Sequence, residues 1–165
     1  MPRASGGFTV YREDHWIFEG TDLQYGDVFG QAPVCIAAFE VDGADYTFRR
    51  GLPYPTHADG APEGLEILAM TPAVAGQVDH WDGRVPLGAP IAEAQDLVDA
   101  LYGDEPPEHM RDLHRGSAMI AAFERGQGRV VTAGTTEWVN GLIHREPFTE
   151  RITHNILRRF APTIG

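Results

Sequence analysis

Three short stretches hold the side chains best suited to chemistry. In "REDHWIFEG", residues 12 to 20, the imidazole of His15 follows Glu13 and Asp14 and precedes Glu19. A histidine oriented by a carboxylate is what general acid–base catalysis needs. The alternative is a structural corner: Trp16 and Phe18 alternate into the core, His15 and Ile17 face the other side, and Gly20-Thr21 turns the chain. In "FEVDG", residues 39 to 43, Glu40 and Asp42 stand two apart at the end of an extended run, so both project from one face. Such a pair can hold a divalent cation or divide into acid and base, and it can equally be a strand closing in an Asp-Gly turn with Glu40 satisfied by an arginine. In "AGTTEW", residues 133 to 138, Thr135, Thr136 and Glu137 end an apolar run. Open α/β sheets place ligand groups there, and the same groups can cap a following segment. His15 and Glu137 are therefore the candidate catalytic residues; Glu40, Asp42, Thr135 and Thr136 are the candidate ligand-binding residues.

Other chemistries are excluded by what is missing. All 13 basic residues are arginine, which removes a Schiff-base lysine, a pyridoxal-phosphate lysine and a P-loop lysine. The only serines are Ser5 and Ser117, and no G-x-S-x-G elbow occurs. Cys35 is the single cysteine and lies in the apolar run "PVCIAAFEV", so it reads as a buried inert thiol, and no disulfide within the chain can form. His57, His80, His109, His114, His144 and His154 are scattered, without the spacing of a zinc site. "YGDVFG" has close glycines but lacks the order of a nucleotide fingerprint. With 24 acidic residues and a formal net charge of -11, the chain is poorly matched to nucleic acid.

The elements that must position these groups follow from periodicity. Extended segments are expected at residues 8–12, 33–41, 45–48, 65–74, 117–126 and 128–138, several of them continuously apolar, as strands covered on both faces are. Residues 117–134 read as a hairpin turning at "ERGQGR". A helix is expected within "APIAEAQDLVDALYG", stopped by Gly103. Another is expected at "PFTERITHNILRRF", with Pro147 in its first turn, Arg158 and Arg159 in its last, and Phe148, Ile152, Ile156 and Phe160 on one face. Residues 49–64 and 75–90, rich in glycine and proline, read as long loops of the kind that often carry function.

These elements make a single domain over residues 1–165. Its class is α/β or α+β, with a mixed central sheet, long loops and a C-terminal amphipathic helix. A hydrophobic fraction of 42% supports a folded core, and no apolar run is long enough for a membrane span. The start "MPRASGGFTV" lacks a signal-peptide core, so a cytoplasmic location is expected. Arginine in place of lysine, with abundant alanine, glycine and aspartate, suggests a bacterial genome of high GC content.

Several of these words in order carry a resemblance. "GGFTVYREDHWIFEGTDLQYGDVFG", "AAFEVDGADYTF", "DGAPEGLEILAMTPA", "GRVVTAGTTEWVNGL" and "PFTERITHNILRRF" together resemble the C-terminal part of the large (beta) subunit of N,N-dimethylformamidase and its relatives, over nearly the whole chain. The resemblance implies a hydrolase of small N-substituted amides, a glutamine-amidotransferase-like region in the large subunit and a non-haem iron site. The family's large subunit is several times longer, and its iron ligands lie upstream of the matched region. No residue of this chain is therefore assigned to iron. The resemblance implies that activity needs further polypeptide, making a protein partner or a homo-oligomer expected, with a small molecule as ligand; the competing expectation is a non-catalytic module for assembly or small-ligand binding.

Overall fold

A computed structural model describes residues 3–4, 6–38, 40–73, 89–90, 94–105 and 116–161. The elements in chain order are β1 (Arg3–Ala4), β2 (Phe8–Val10), a 3-10 turn (Trp16–Phe18), β3 (Val28–Phe29), β4 (Tyr46–Arg49), β5 (Leu52–Pro55), β6 (Glu66–Pro72), β7 (Ala89–Pro90), α1 (Ala94–Tyr102), β8 (Ser117–Arg125), β9 (Gly128–Thr132), α2 (Trp138–Ile143) and α3 (Pro147–Phe160). Of the two expected classes this is α+β.

The main sheet has the order β3-β2-β6-β8-β9, and every ladder in it is antiparallel. Its axis is the β6–β8 pair, in register from Glu66↔Ala122 to Pro72↔Ser117 with one irregularity between Ile67 and Ala69. These two strands are continuously apolar runs, and both of their faces are covered. On one face Leu68, Ala118, Ile120 and Ala122 join a core with Phe8, Phe18, Phe29 and Ile152, closed by Trp138 and Phe148. On the other, Ile67, Met70 and Met119 pack against Tyr11, Ala44 and Tyr46. The result is three layers: helices, sheet and a small hairpin.

Two expectations about the chain path are corrected. The described residues of 33–41 form no strand: Cys35 takes a φ of 53°, and the amides of Ile36 and Ala37 bond back to the carbonyls of Gly30 and Gly6. The apolar run there is buried as an irregular loop, with Cys35, Ile36 and Ala37 nearly inaccessible. Residues 49–64 are not wholly loop either, because β5 pairs with β4 from Tyr46↔Pro55 to Arg49↔Leu52. Two prolines argue against a strand, but among the described residues β5 has a ladder on one side only, where missing N–H groups are tolerated. Its tight turn uses Arg50 and Gly51, both at positive φ, as two-residue hairpins require. Most of 75–90 lies outside the described residues.

The extended segment expected at 128–138 is shorter than its apolar run: β9 stops at Thr132, and Trp138 already opens α2. The other elements agree with the periodicity. β8 and β9 form the expected hairpin around Gly126 and Gln127. α3 begins at Pro147, and the Glu146 carboxylate caps it by accepting from the Thr149 amide at 2.6 Å. Its inner face buries Ile152 fully. No helix among the described residues is long and apolar enough to cross a membrane.

Candidate functional site

The six candidate residues fall into two places. The first lies beyond the end of β9. Gly134 adopts a φ of 64°, and a Cβ there would run into the backbone oxygens of Met119 and Asp42, so only glycine lets the strands approach. Through that contact the Asp42 amide donates to the Gly134 carbonyl at 2.9 Å, and the Met119 amide donates to the Asp42 carbonyl at 3.0 Å. A bridge between Val41 and Thr135 extends the stitch. Glu40, Asp42, Thr135 and Thr136 consequently line one shallow depression of about 410 Å³, together with Thr132. All four ligand-binding candidates are thus brought together. The two carboxylate residues, Glu40 and Asp42, are both exposed to solvent.

Glu137 sits behind this depression, with 4% of its surface exposed. Its Oε2 accepts from the Thr135 hydroxyl at 2.7 Å and the Thr136 hydroxyl at 3.2 Å, while the Glu137 amide donates to Thr135 Oγ1 at 3.2 Å. The hydroxyl protons are therefore turned inward onto a buried carboxylate. Toward solvent the depression offers mainly acceptors, which suits a ligand rich in N–H or O–H groups. α2 starts at Trp138, whose indole N–H donates to Thr153 on α3 at 3.0 Å. The local role of Glu137 is to tie the turn that launches α2.

His15 stands elsewhere, at the entrance of the 3-10 turn. Its carbonyl accepts from the Phe18 amide at 2.9 Å, and its Nδ1 accepts from the Ile17 amide at 3.5 Å. That contact leaves the proton of the neutral ring on Nε2. Ile17 and Phe18 are buried, whereas Trp16 is only half-buried. Strict alternation therefore fails, because a 3-10 turn with three residues per turn sends neighbouring side chains inward. Trp16 packs instead on the end of α3, with Phe160 at 6.2 Å between ring centres and the Arg159 guanidinium 5.7 Å from its own. Asn155 of α3 clamps the turn by donating to the carbonyls of Ile17 and Glu19, each at 2.8 Å.

Two pockets share His15 and Glu66. One, of about 280 Å³, includes Trp16, Glu124, Arg129 and Arg159; the other, of about 540 Å³, includes Tyr11, Arg12, Glu13, Asp14 and Tyr25. Burial pushes the His15 pKa below its ordinary value, opposed by the Glu66 carboxylate and reinforced by Arg12. Among the described residues no carboxylate is hydrogen-bonded to His15, so Glu13, Asp14 and Glu19 do not orient it. Sequence reasoning missed Glu66, the charged residue that opens the apolar run of β6. It also missed Arg12, whose Nε and Nη2 donate to the carbonyls of Ile67 and Pro53, both at 3.1 Å, tying sheet to hairpin. His15 lines two of these pockets, and Glu137 lines none of the three.

Among the described residues no group of three or more His, Cys, Asp or Glu side chains converges as a metal site built from those ligands would require. A family model described as N,N-dimethylformamidase beta subunit-like, C-terminal, matches residues 1–150. No curated protein and no solved structure matches the chain.

Proposed function

This chain belongs to the N,N-dimethylformamidase beta subunit-like C-terminal family, and from that membership we propose that it is a component of an amide hydrolase acting on small N-substituted amides. The observation that carries the proposal is the match across residues 1–150. The family is described as subunit-like, which supports a protein partner. In this reading labour is divided: the metal-bearing chemistry belongs to further polypeptide, and this chain contributes a wall or rim to it. In that assembly His15 is the residue suited to contact substrate, since it lines two pockets and burial favours its neutral form. Glu137 acts through the turn it holds.

The test is complementation. The purified chain is combined with the metal-bearing region of a dimethylformamidase-like subunit lacking its own C-terminal part, and formate release from N,N-dimethylformamide is followed. Turnover that needs both polypeptides is the expected result. Full turnover by the metal-bearing region without this chain contradicts it. A second reading, a non-catalytic module that binds a small polar ligand, is favoured by one observation: Glu40, Asp42, Thr135 and Thr136 share a depression. It predicts saturable binding of a small polyol or amide there in the absence of any partner.

A further inference from the structure

The 540 Å³ pocket combines features that the hydrolase reading does not use. Tyr11 and Tyr25 both line it, with ring centres 5.9 Å apart and planes at 78°. The aromatic surface continues from Tyr11 to Phe48 at 5.5 Å and from Phe48 to Tyr46 at 5.8 Å. Tyr25 and Phe48 leave about half of their surface in water, at 50% and 48% exposure. Around this wall stand the carboxylates of Glu13, Asp14 and Glu66.

Among the described residues the lining carries three acids against one guanidinium, that of Arg12, which keeps its charge while it donates to two carbonyls and lies 4.9 Å from the centre of the Tyr54 ring. His15 is held toward its neutral form by burial. An anion is therefore repelled, and an uncharged apolar molecule would have to desolvate carboxylates for no return. A hard metal cation needs convergent oxygens, and no such group of three exists among the described residues. What remains suited is a cation of diffuse charge and apolar skin, which gains from ring faces and from carboxylates that never converge.

We propose that the pocket between Tyr11, Tyr25 and Glu66 binds a small alkylammonium ion. Hydrolysis of an N-alkyl amide releases such an amine, protonated at neutral pH, so the site would suit the amine half of that chemistry. The proposal stands on the pocket alone and survives if the hydrolase assignment fails.

The experiment is a titration of the full chain with dimethylammonium chloride and with tetramethylammonium chloride at constant ionic strength, followed by NMR at the ring signals of His15 and Tyr25. Saturable shifts are expected, with a dissociation constant for the three-heavy-atom dimethylammonium ion no tighter than about 0.5 mM, the ceiling for a ligand of so few atoms. Tyr25→Leu and Glu66→Gln should each weaken binding about two- to fivefold. Both side chains are exposed, and Glu66→Gln keeps the test decisive even if Tyr25→Leu disturbs the fold. Equal shifts from sodium chloride, failure to saturate, or unchanged binding in Glu66→Gln would overturn the proposal.

Discussion

The surroundings of His15 and of Glu137 use the same vocabulary, a titratable side chain beside a turn that leads into the helical layer, to opposite effect. At Glu137 the neighbours exhaust the group: two hydroxyls donate to one oxygen, and 4% of the residue is exposed. At His15 the neighbours hold one nitrogen weakly, leave the other with its proton, and open two pockets on either side. A candidate residue is thus chemically available only where local structure has not already consumed its hydrogen-bonding capacity. By that measure the His15 region keeps hydrogen-bonding capacity, whereas the Glu137 region has spent its own on the framework around the Glu40 and Asp42 depression.

The most damaging way to probe this difference is to remove what the regions share. Phe29 is 1% exposed and meets both Phe18, next to the His15 turn, and Trp138, next to Glu137, at 6.4 Å each. Phe29→Ala should cost about 3–5 kcal/mol in urea unfolding and loosen both regions together, seen as loss of the ring-current shifts of Trp138 and Trp16. Next in size is Glu137→Ala, which strands two inward-facing hydroxyls and should cost roughly 1–3 kcal/mol. A neutral or stabilising outcome would mark Glu137 as a strained functional group and erase the contrast. Trp16→Ala should fall near the same size, about 1.5–2.5 kcal/mol, because its ring is only partly buried.

The smallest effect is expected at His15. His15→Gln should change stability by no more than about 0.5 kcal/mol at pH 7.5, and its signature is pH dependence. Burial lowers the folded-state pKa beneath the ordinary 6.5, so the unfolded chain binds a proton that the folded chain refuses. This contribution is complete above 6.5 and is lost as pH falls through the window from 6.5 down to the folded value. Urea midpoints measured at pH 7.5 and pH 5.5 should therefore converge in the variant relative to the parent. Asp59, held low by the amides of Asp45 and Ala61, acts in a separate window below its ordinary 3.8 and does not blur the comparison.

Legibility in the sequence followed the reach of the interactions. α3 is readable because its cap, first-turn proline, terminal arginines and four-residue apolar spacing are all local, and it runs over the expected Pro147–Phe160. The β8–β9 hairpin is readable for the same reason. The strands of β6 and β8 show their two-sided burial as unbroken apolar runs, while the antiparallel direction depends on connections that composition does not encode. Residues 33–41 mislead because apolar content reports burial, and the positive φ of Cys35 decides the path. β5 hides because its prolines are tolerated only at an edge. At the sites, the Glu137 cluster spans three consecutive residues, so its mutual bonds are local, but no side chain caps α2 as the sequence allowed. The partners of His15 come from β6 and from the segment before β3, and nothing local announces Glu66 or Tyr25.

Whether this chain is one part of an amide hydrolase, without a complete metal site of its own, is tested most directly by formate release from N,N-dimethylformamide by the purified chain alone, in buffer supplied with ferrous iron. The expected result is a rate indistinguishable from buffer and no iron retained after gel filtration. Turnover by the chain alone with stoichiometric retained iron would contradict it.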